Sequence, residues 1–145
     1  MRFNRLVPSS DIIILLILFL FSGFFSSAEA ALLSLSDLHL HKMKSDDYPF
    51  LNSVVKLLKN PRRLLITVVT SNEAVNISIS ILAASLFISL FGINGQWISI
   101  IVTSIILFLA GEAIPKTFGV NYPMQISSAV SPLLLLISRL EFPMV

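Results

Sequence analysis

Long apolar stretches dominate the hydrophobic pattern of this 145-residue sequence, and they occupy residues 12–35, 64–91 and 97–120. A helix needs roughly 20 apolar residues, at a rise of about 1.5 Å each, to cross the hydrocarbon part of a bilayer. Each stretch reaches that length with few charges. The pattern therefore predicts an all-α integral membrane protein with three transmembrane helices.

A polar segment at residues 37–63 separates the first two stretches and carries six of the ten basic residues. Its hydrophobic positions predict two short amphipathic helices, interrupted near Tyr48 and Pro49. The positive-inside rule places basic loops in the cytoplasm. This helical hairpin is therefore expected in the cytoplasm, with the N-terminus of the chain outside and the C-terminus inside.

Both ends of the sequence contain apolar runs that need separate interpretation. The run at residues 126–137 is short and contains several serines and Pro132, so it predicts a helix on the membrane surface. At the N-terminus, Arg2 and Arg5 before an apolar run are also typical of a cleaved signal peptide. Because the run continues to Leu35, we favour an uncleaved first span.

Composition indicates lipid as the solvent and excludes several classes of function. Only 12% of the residues are charged, against about 25% in soluble domains. The net charge of +2 is small, and no nucleic-acid partner is expected. The chain has no cysteine, which excludes disulfides and thiolate metal sites. It also lacks the His-Glu-x-x-His and Gly-x-Ser-x-Gly motifs, so we do not expect an enzyme.

One carboxylate falls within each predicted span, at Glu29, Glu73 and Glu112. A charge at the centre of a bilayer costs at least about 2.5 kcal/mol unless it is paired or faces a water-filled cavity. These carboxylates are therefore candidates for a functional site. A simpler interpretation is that each side chain reaches the headgroups from a helix end, and for Glu29 both interpretations stay open.

Polar side chains accompany these carboxylates. Ser22, Ser26 and Glu29 share one face of the first span, although serines also let membrane helices pack closely. The second span adds a cluster of hydroxyls and amides, in which the candidates are Thr70, Ser71, Asn72 and Asn76. Packing alone is a poor explanation for two amides and a carboxylate within five residues.

The third span contains the sequence Gly-Glu-Ala-Ile-Pro-Lys at residues 111–116. Pro115 has no amide hydrogen, so the carbonyl of Gly111 loses its helical partner. Inside a membrane that carbonyl needs another partner, and a cation beside Glu112 could serve. A proline kink satisfied by water or a serine is an equally good explanation of this segment. Taken together, the spans offer oxygen ligands, which suit hard cations such as Mg²⁺, Ca²⁺ or Na⁺.

Four segments of the sequence form recognisable motifs, at residues 21–35, 60–65, 72–76 and 111–116. These motifs, in this order, resemble those of the CorC/cyclin-M family of magnesium transporters. The resemblance implies a homodimer in membrane lipid, with a cytoplasmic hairpin after the first span and a juxtamembrane belt helix at about residues 124–139. Residues 1–145 would form a single transmembrane domain, and the pair of cytoplasmic CBS modules expected in the full-length protein is absent from this sequence.

The resemblance also implies efflux of Mg²⁺ across the cell (inner or plasma) membrane in exchange for sodium. The expected Mg²⁺ ligands are Ser22, Ser26, Ser71, Gly111 and Glu112. The residues expected to line the site are Thr70, Asn72, Asn76, Glu29, Pro115 and Lys116. Glu73 occupies a position where relatives often have an uncharged residue, so no role is assigned to it. The alternative function is a Mg²⁺-sensing membrane anchor and dimerisation module without transport.

Overall fold

The computed structural model describes residues 9–141, and every regular element in that range is helical. The elements are α1 (Ser9–Ser34), α2 (Asp37–Ser45), α3 (Leu51–Leu58), α4 (Pro61–Phe91), α5 (Gly95–Ile106), a π-helical segment (Leu107–Ala113), α6 (Ile114–Asn121) and α7 (Pro123–Glu141).

Three helices of the described range are long and apolar enough to cross a membrane, namely α1, α4 and the continuous run Gly95–Asn121. This confirms the predicted all-α membrane fold with three spans. The second span begins three residues earlier than its apolar stretch, at Pro61. There the side chain of Asn60 accepts a hydrogen bond from the amide of Arg63, and proline at the first helical position suits the helix start.

Two short helices, α2 and α3, follow the first span. Ser36 caps α2 by accepting a hydrogen bond from the amide of His39. The chain then turns through Asp47 and Phe50, which both have positive φ, on either side of the predicted break. The cytoplasmic location of this pair of helices stays a prediction. So does the surface location of α7, whose Ser128 hydroxyl donates to the carbonyl of Pro49.

The apolar core lies in the half of the molecule where α1 ends and α4 begins. It is built from α1, α4, α7 and the two short helices, and its buried members include Phe25, Leu32, Met43, Val54, Val68 and Leu134. The other half is less covered, since the residues of α1 before Ser22 are exposed or half-buried. Only 22%, 22% and 17% of the most apolar windows of the three spans are buried. Lipid or another protein surface must therefore cover the remaining apolar faces.

The third span changes its packing partner midway along its length. Its first part, α5, packs against α4, whereas α6 packs against α1. Both contacts are close because a glycine faces a backbone carbonyl in each. Gly95 of α5 faces the carbonyl of Phe87 on α4, and Gly119 of α6 faces the carbonyl of Ser27 on α1. Small residues allow this approach between membrane helices. The π-helical segment lies between the two contacts and brings Gly111 to Ser22 of α1 and Glu112 to Asn76 of α4.

Candidate metal centre

Ser22 lies at the centre of a polar cluster to which all three spans contribute. Its side chain is completely buried, and its hydroxyl donates a 2.8 Å hydrogen bond to Oδ1 of Asn76 on α4. The same hydroxyl lies 3.4 Å from the carbonyl oxygen of Gly111. Asn76 in turn donates through Nδ2 to Oε1 of Glu112 at 3.5 Å. We call these four residues the central cluster.

The π-helical segment determines how Gly111 and Glu112 reach the cluster. The amide of Ile114 donates to the carbonyl of Leu109, five residues earlier, instead of the usual four. The α-helical partner of the Gly111 carbonyl would be the nitrogen of Pro115, which has no hydrogen. A Cβ on Gly111 would lie 2.9 Å from the Ser22 hydroxyl, so only glycine fits here without displacement. Single π-helical turns in α-helices are frequent at functional sites.

A second serine–asparagine pair lies one turn from the first. Asn72 donates through Nδ2 to the hydroxyl of Ser26 at 3.4 Å. Because the pairs Ser22–Asn76 and Ser26–Asn72 run in opposite numerical order, α1 and α4 are antiparallel and the two pairs stack. Oδ1 of Asn72 is buried and has no hydrogen-bond partner. An unsatisfied buried acceptor costs about 1–3 kcal/mol, so this oxygen is available for a ligand.

Glu29 and Lys116 form an ion pair between α1 and α6. Nζ of Lys116 lies 3.8 Å from Oε2 of Glu29, and both side chains are partly exposed. Glu29 is two turns along α1 from Ser22, about 10 Å at the usual rise per residue. The structure therefore separates Glu29 from the central cluster and gives Lys116 a partner other than Glu112.

The remaining candidates divide between the buried and the exposed faces of the helices. Thr70 and Glu73 lie on the exposed face of α4, whereas Ser71 is half-buried. Pro115 packs on α1 at Gly23, where an added Cβ would lie 3.4 Å from its ring. The structure thus joins Ser22, Asn76, Gly111 and Glu112 directly, and Ser26 with Asn72.

Asn76 has a larger part in the geometry than the sequence predicted. It was expected to line the site, yet it is the residue that bonds to both Ser22 and Glu112. Its spacing of one turn from Asn72 is visible in the sequence and puts both amides on one face. Which helix that face contacts depends on the register between α1 and α4, and no short motif encodes it.

The chemistry of the cluster suits a hard cation. It offers a hydroxyl, an amide oxygen, a backbone carbonyl and one carboxylate, and the unpaired oxygen of Asn72 lies one turn away. Mg²⁺ prefers such oxygen ligands and usually binds one or two carboxylates. The described residues contain no group of three or more histidine, cysteine, aspartate or glutamate side chains. The residues present therefore fit Mg²⁺ better than a metal that needs imidazole or thiolate ligands.

Fold and site together define a multi-pass α-helical membrane protein with an oxygen-lined cluster between its spans. Residues 12–145 match the cyclin M transmembrane N-terminal domain, and the chain belongs to this family. The resemblance found in the sequence is thereby confirmed. The family description is that of a transmembrane domain and names no enzymatic activity.

Several curated relatives carry the same domain within longer chains. The sequence is 29% identical over 140 residues to a UPF0053 protein of Haemophilus influenzae, covering 96% of this chain and 33% of the relative. It is 32% identical over 124 residues to the UPF0053 inner membrane protein YfjD of Escherichia coli, covering 86% and 29%. A DUF21 domain-containing protein of Arabidopsis thaliana is 27% identical over 125 residues, covering 83% and 28%. The chain spans about a third of the length of these relatives.

Proposed function

We propose that this chain exports Mg²⁺ across the membrane in exchange for Na⁺. The observation that supports the proposal most strongly is the meeting of Ser22, Asn76, Gly111 and Glu112 between three apolar spans. Polar groups at such a position need a partner, because lipid offers none. Family membership in the cyclin M domain is consistent with the same function.

Binding of Mg²⁺ would rearrange contacts that the cluster makes with itself. In the structure, Nδ2 of Asn76 donates to the Glu112 carboxylate, and the Ser22 hydroxyl donates to Oδ1 of Asn76. A cation would replace both hydrogen bonds, and the oxygens of Ser22, Asn76 and Glu112 would bind it instead. Because Mg²⁺ loses its waters reluctantly, the full negative charge of Glu112 is needed to offset dehydration.

Ser26 and Asn72 give the ion a place on the way to or from the central cluster. They lie one turn nearer to the end of α1, which the positive-inside rule predicts to be cytoplasmic. Mg²⁺ would enter from that side, bind in the central cluster and leave outward after the helices rearrange. The third span is suited to such a change, because α5 and α6 pack on different helices on either side of the π-helical segment.

Flux measurements in liposomes test the proposal. Glu112→Gln removes the charge with almost no change in shape, and we expect it to reduce Mg²⁺ flux at least tenfold. Glu73→Gln is the matched control, since it makes the same change on the exposed face of α4. Unchanged flux in Glu112→Gln, or equal loss in both variants, would contradict the assignment of the site.

The cellular setting of the domain is part of the proposal. We assign it to the inner or plasma membrane, as the name of the Escherichia coli relative indicates for that protein. The exposed apolar faces favour a homodimer in lipid. By the family resemblance, we also expect cytoplasmic CBS modules to be attached in the full-length protein. Cross-linking in membranes and topology mapping of both termini would test these assignments.

A Mg²⁺-sensing anchor is the second candidate function, and one contact favours it. Arg63 at the start of α4 donates to the hydroxyl and the carbonyl of Ser138 on α7, at 2.9 and 3.1 Å. This contact joins the span that carries Asn76 to the last helix of the chain. A sensor would bind Mg²⁺ in a titration, yet it would produce no Mg²⁺ flux in liposomes.

A further inference from the structure

A cavity of about 150 Å³ lies between α4 and α5, beyond the central cluster as seen from the Ser26–Asn72 pair. Its lining runs along the third span from Ser99 to Leu107, a length of about 12 Å at the usual rise per residue. The helix α5 begins at Gly95, one turn before Ser99. The cavity therefore covers most of the distance between the central cluster and the end of the span that is expected to face outside.

The inner end of the cavity is next to the central cluster on two helices. On α4, Ser80 lines the cavity, and its hydroxyl donates a 3.0 Å hydrogen bond to the carbonyl of Asn76, one turn earlier. On the third span, Leu107 lines the cavity, and one of its methyl groups would lie 2.9 Å from a Cβ on Gly111. The cavity and the central cluster are therefore neighbours, and the side chain of Leu107 is next to both.

Two buried hydroxyls in the cavity wall differ from most other hydroxyls of the spans. A serine or threonine in a membrane helix commonly donates to the carbonyl four residues earlier. The residues of this chain that do so are Ser34, Ser78, Ser80, Ser89 and Thr117. The hydroxyls of Ser99 and Thr103 instead lie 3.4 Å from each other, and in the described range they have no other hydrogen-bond partner. Because 3.4 Å is long for two hydroxyls, both can bind a further ligand in the cavity.

The volume and the lining of the cavity favour water as its content. A water molecule occupies about 30 Å³ in the liquid, so the cavity has room for several, and polar cavities of this size are hydrated whereas apolar ones stay dry. Mg²⁺ usually keeps several of its waters when it binds to a protein. An ion that leaves the central cluster in the outward direction would regain water here, about one helical turn away.

We propose that this cavity is the water-filled outward exit of the cation, in which Ser99 and Thr103 contact the ion as it regains its waters. The inference rests on the proposed Mg²⁺ export and adds the route on the outward side. Leu107 would be the barrier between the central cluster and the exit. It belongs to the π-helical segment, where the third span changes its packing partner, so a rearrangement there would move this side chain.

Cysteine accessibility tests the proposal, because the chain contains no cysteine and single cysteines can be labelled without background. Ser99→Cys and Thr103→Cys are small changes at two separate positions of the cavity wall. The probe is a membrane-impermeant, cationic methanethiosulfonate applied to intact cells, and the mass of the purified protein gives the extent of modification. Since only a thiolate reacts, and it forms in water but not in lipid, both cysteines should react at least about tenfold faster than a cysteine that faces lipid.

Ile101→Cys is the matched control, because Ile101 lies between the two positions on the exposed face of the same helix. Equal rates at all three positions would overturn the proposal. So would an absence of modification at Ser99→Cys and Thr103→Cys, which is the result expected if an acyl chain fills the cavity. Rapid modification in inside-out vesicles, with none in intact cells, would contradict the outward direction.

Flux in liposomes distinguishes a failure of this inference from a failure of Mg²⁺ export. Modified Thr103→Cys should transport Mg²⁺ at least about tenfold more slowly, because the attached group fills much of the narrow path. Ile101→Cys treated with the same reagent should keep its flux. Undiminished flux after complete modification of Ser99→Cys and Thr103→Cys would show that the ion leaves by another route, with export intact. Rapid modification of a protein that shows no Mg²⁺ flux would refute export, and the exit with it.

Discussion

The ammonium group of Lys116 lies 3.8 Å from the carboxylate of Glu29 on the neighbouring helix. Lys116 follows Glu112 by four residues, a spacing at which side chains on a helix can pair. Lys116 pairs with Glu29 instead, and among the described residues no lysine or arginine forms an ion pair with Glu112. We therefore propose that Glu29 acts on the proposed Mg²⁺ site through Lys116.

This relationship predicts that Glu29→Gln weakens Mg²⁺ binding without removing a ligand. The released ammonium can then approach Glu112 and compete with Mg²⁺, and we expect the apparent Kd to rise roughly five- to tenfold, about 1 kcal/mol. Isothermal titration or Mg²⁺-dependent thermal stabilisation measures the change. The double variant Glu29→Gln/Lys116→Gln should recover most of the lost affinity, because it removes the competing charge. Failure to recover would show that Glu29 itself contacts the ion.

Gly111→Ala should abolish Mg²⁺ binding by crowding Ser22. The new Cβ would lie 2.9 Å from the Ser22 hydroxyl and from a methyl group of Leu107, so at least one of them must move. Overpacking of this kind costs about 1–3 kcal/mol of folding free energy. Gly23→Ala is the control, since its Cβ would meet Pro115 at an ordinary 3.4 Å. Mg²⁺ stabilisation that persists in Gly111→Ala would contradict the position assigned to the Gly111 carbonyl.

Gly119→Ala should destabilise the fold and leave the affinity of the site largely unchanged. Its Cβ would overlap the carbonyl of Ser27 and come within 2.9 Å of Ala30, and backbone atoms cannot rotate away. We expect a loss of about 1–3 kcal/mol as α1 and α6 separate. Gly119 lies about 12 Å along the helix from Gly111, so the Mg²⁺-dependent shift of the unfolding temperature should remain. A lost shift with unchanged stability would refute this division of roles.

The sequence was sufficient to predict the three spans, because a helix that crosses a bilayer must have a minimum length and an apolar composition, and both can be determined directly from the sequence. It also predicted Ser22, Ser26 and Glu112 as site residues, because a polar residue in such a helix costs free energy and therefore indicates a role; that assignment stays a prediction. The hydrogen bond between Ser22 and Asn76 could not be predicted from the sequence. That contact depends on the register of α1 against α4, which many weak packing contacts determine together.

The π-helical segment illustrates a second limit. Pro115 drew attention to the Gly111 carbonyl, because the missing amide hydrogen follows from proline's chemistry alone. In the structure the hydroxyl of Ser22 lies 3.4 Å from that carbonyl, which is the serine alternative left open by the sequence. Proline alone could equally have produced a simple kink, and nothing in the sequence predicted the π-helical hydrogen bonding from Leu107 to Ala113, which lies where the third span changes its packing partner. Glu29 was left open for a similar reason, since its partner Lys116 lies 87 residues away in the sequence.

The unpaired oxygen of Asn72 leads to a prediction in which stability and binding change in opposite directions. Asn72→Leu removes a buried acceptor that has no partner and loses only a long hydrogen bond to Ser26. In the absence of Mg²⁺ the variant should be as stable as the unmodified protein or more stable by about 1 kcal/mol. With Mg²⁺ present it should show at least a tenfold weaker apparent affinity. Chemical denaturation at zero and at saturating Mg²⁺ measures both quantities.

Thr67→Val is the matched control, because Thr67 is also buried with an unpaired side-chain oxygen. Thr67 is not part of either serine–asparagine pair, so its replacement should stabilise the protein to a similar extent and leave Mg²⁺ affinity intact. The contrast between the two variants distinguishes an oxygen that binds an ion from one that is merely buried. If Asn72→Leu bound Mg²⁺ as tightly as Thr67→Val, the Asn72 amide would have no part in holding the cation, and the site would be confined to the central cluster.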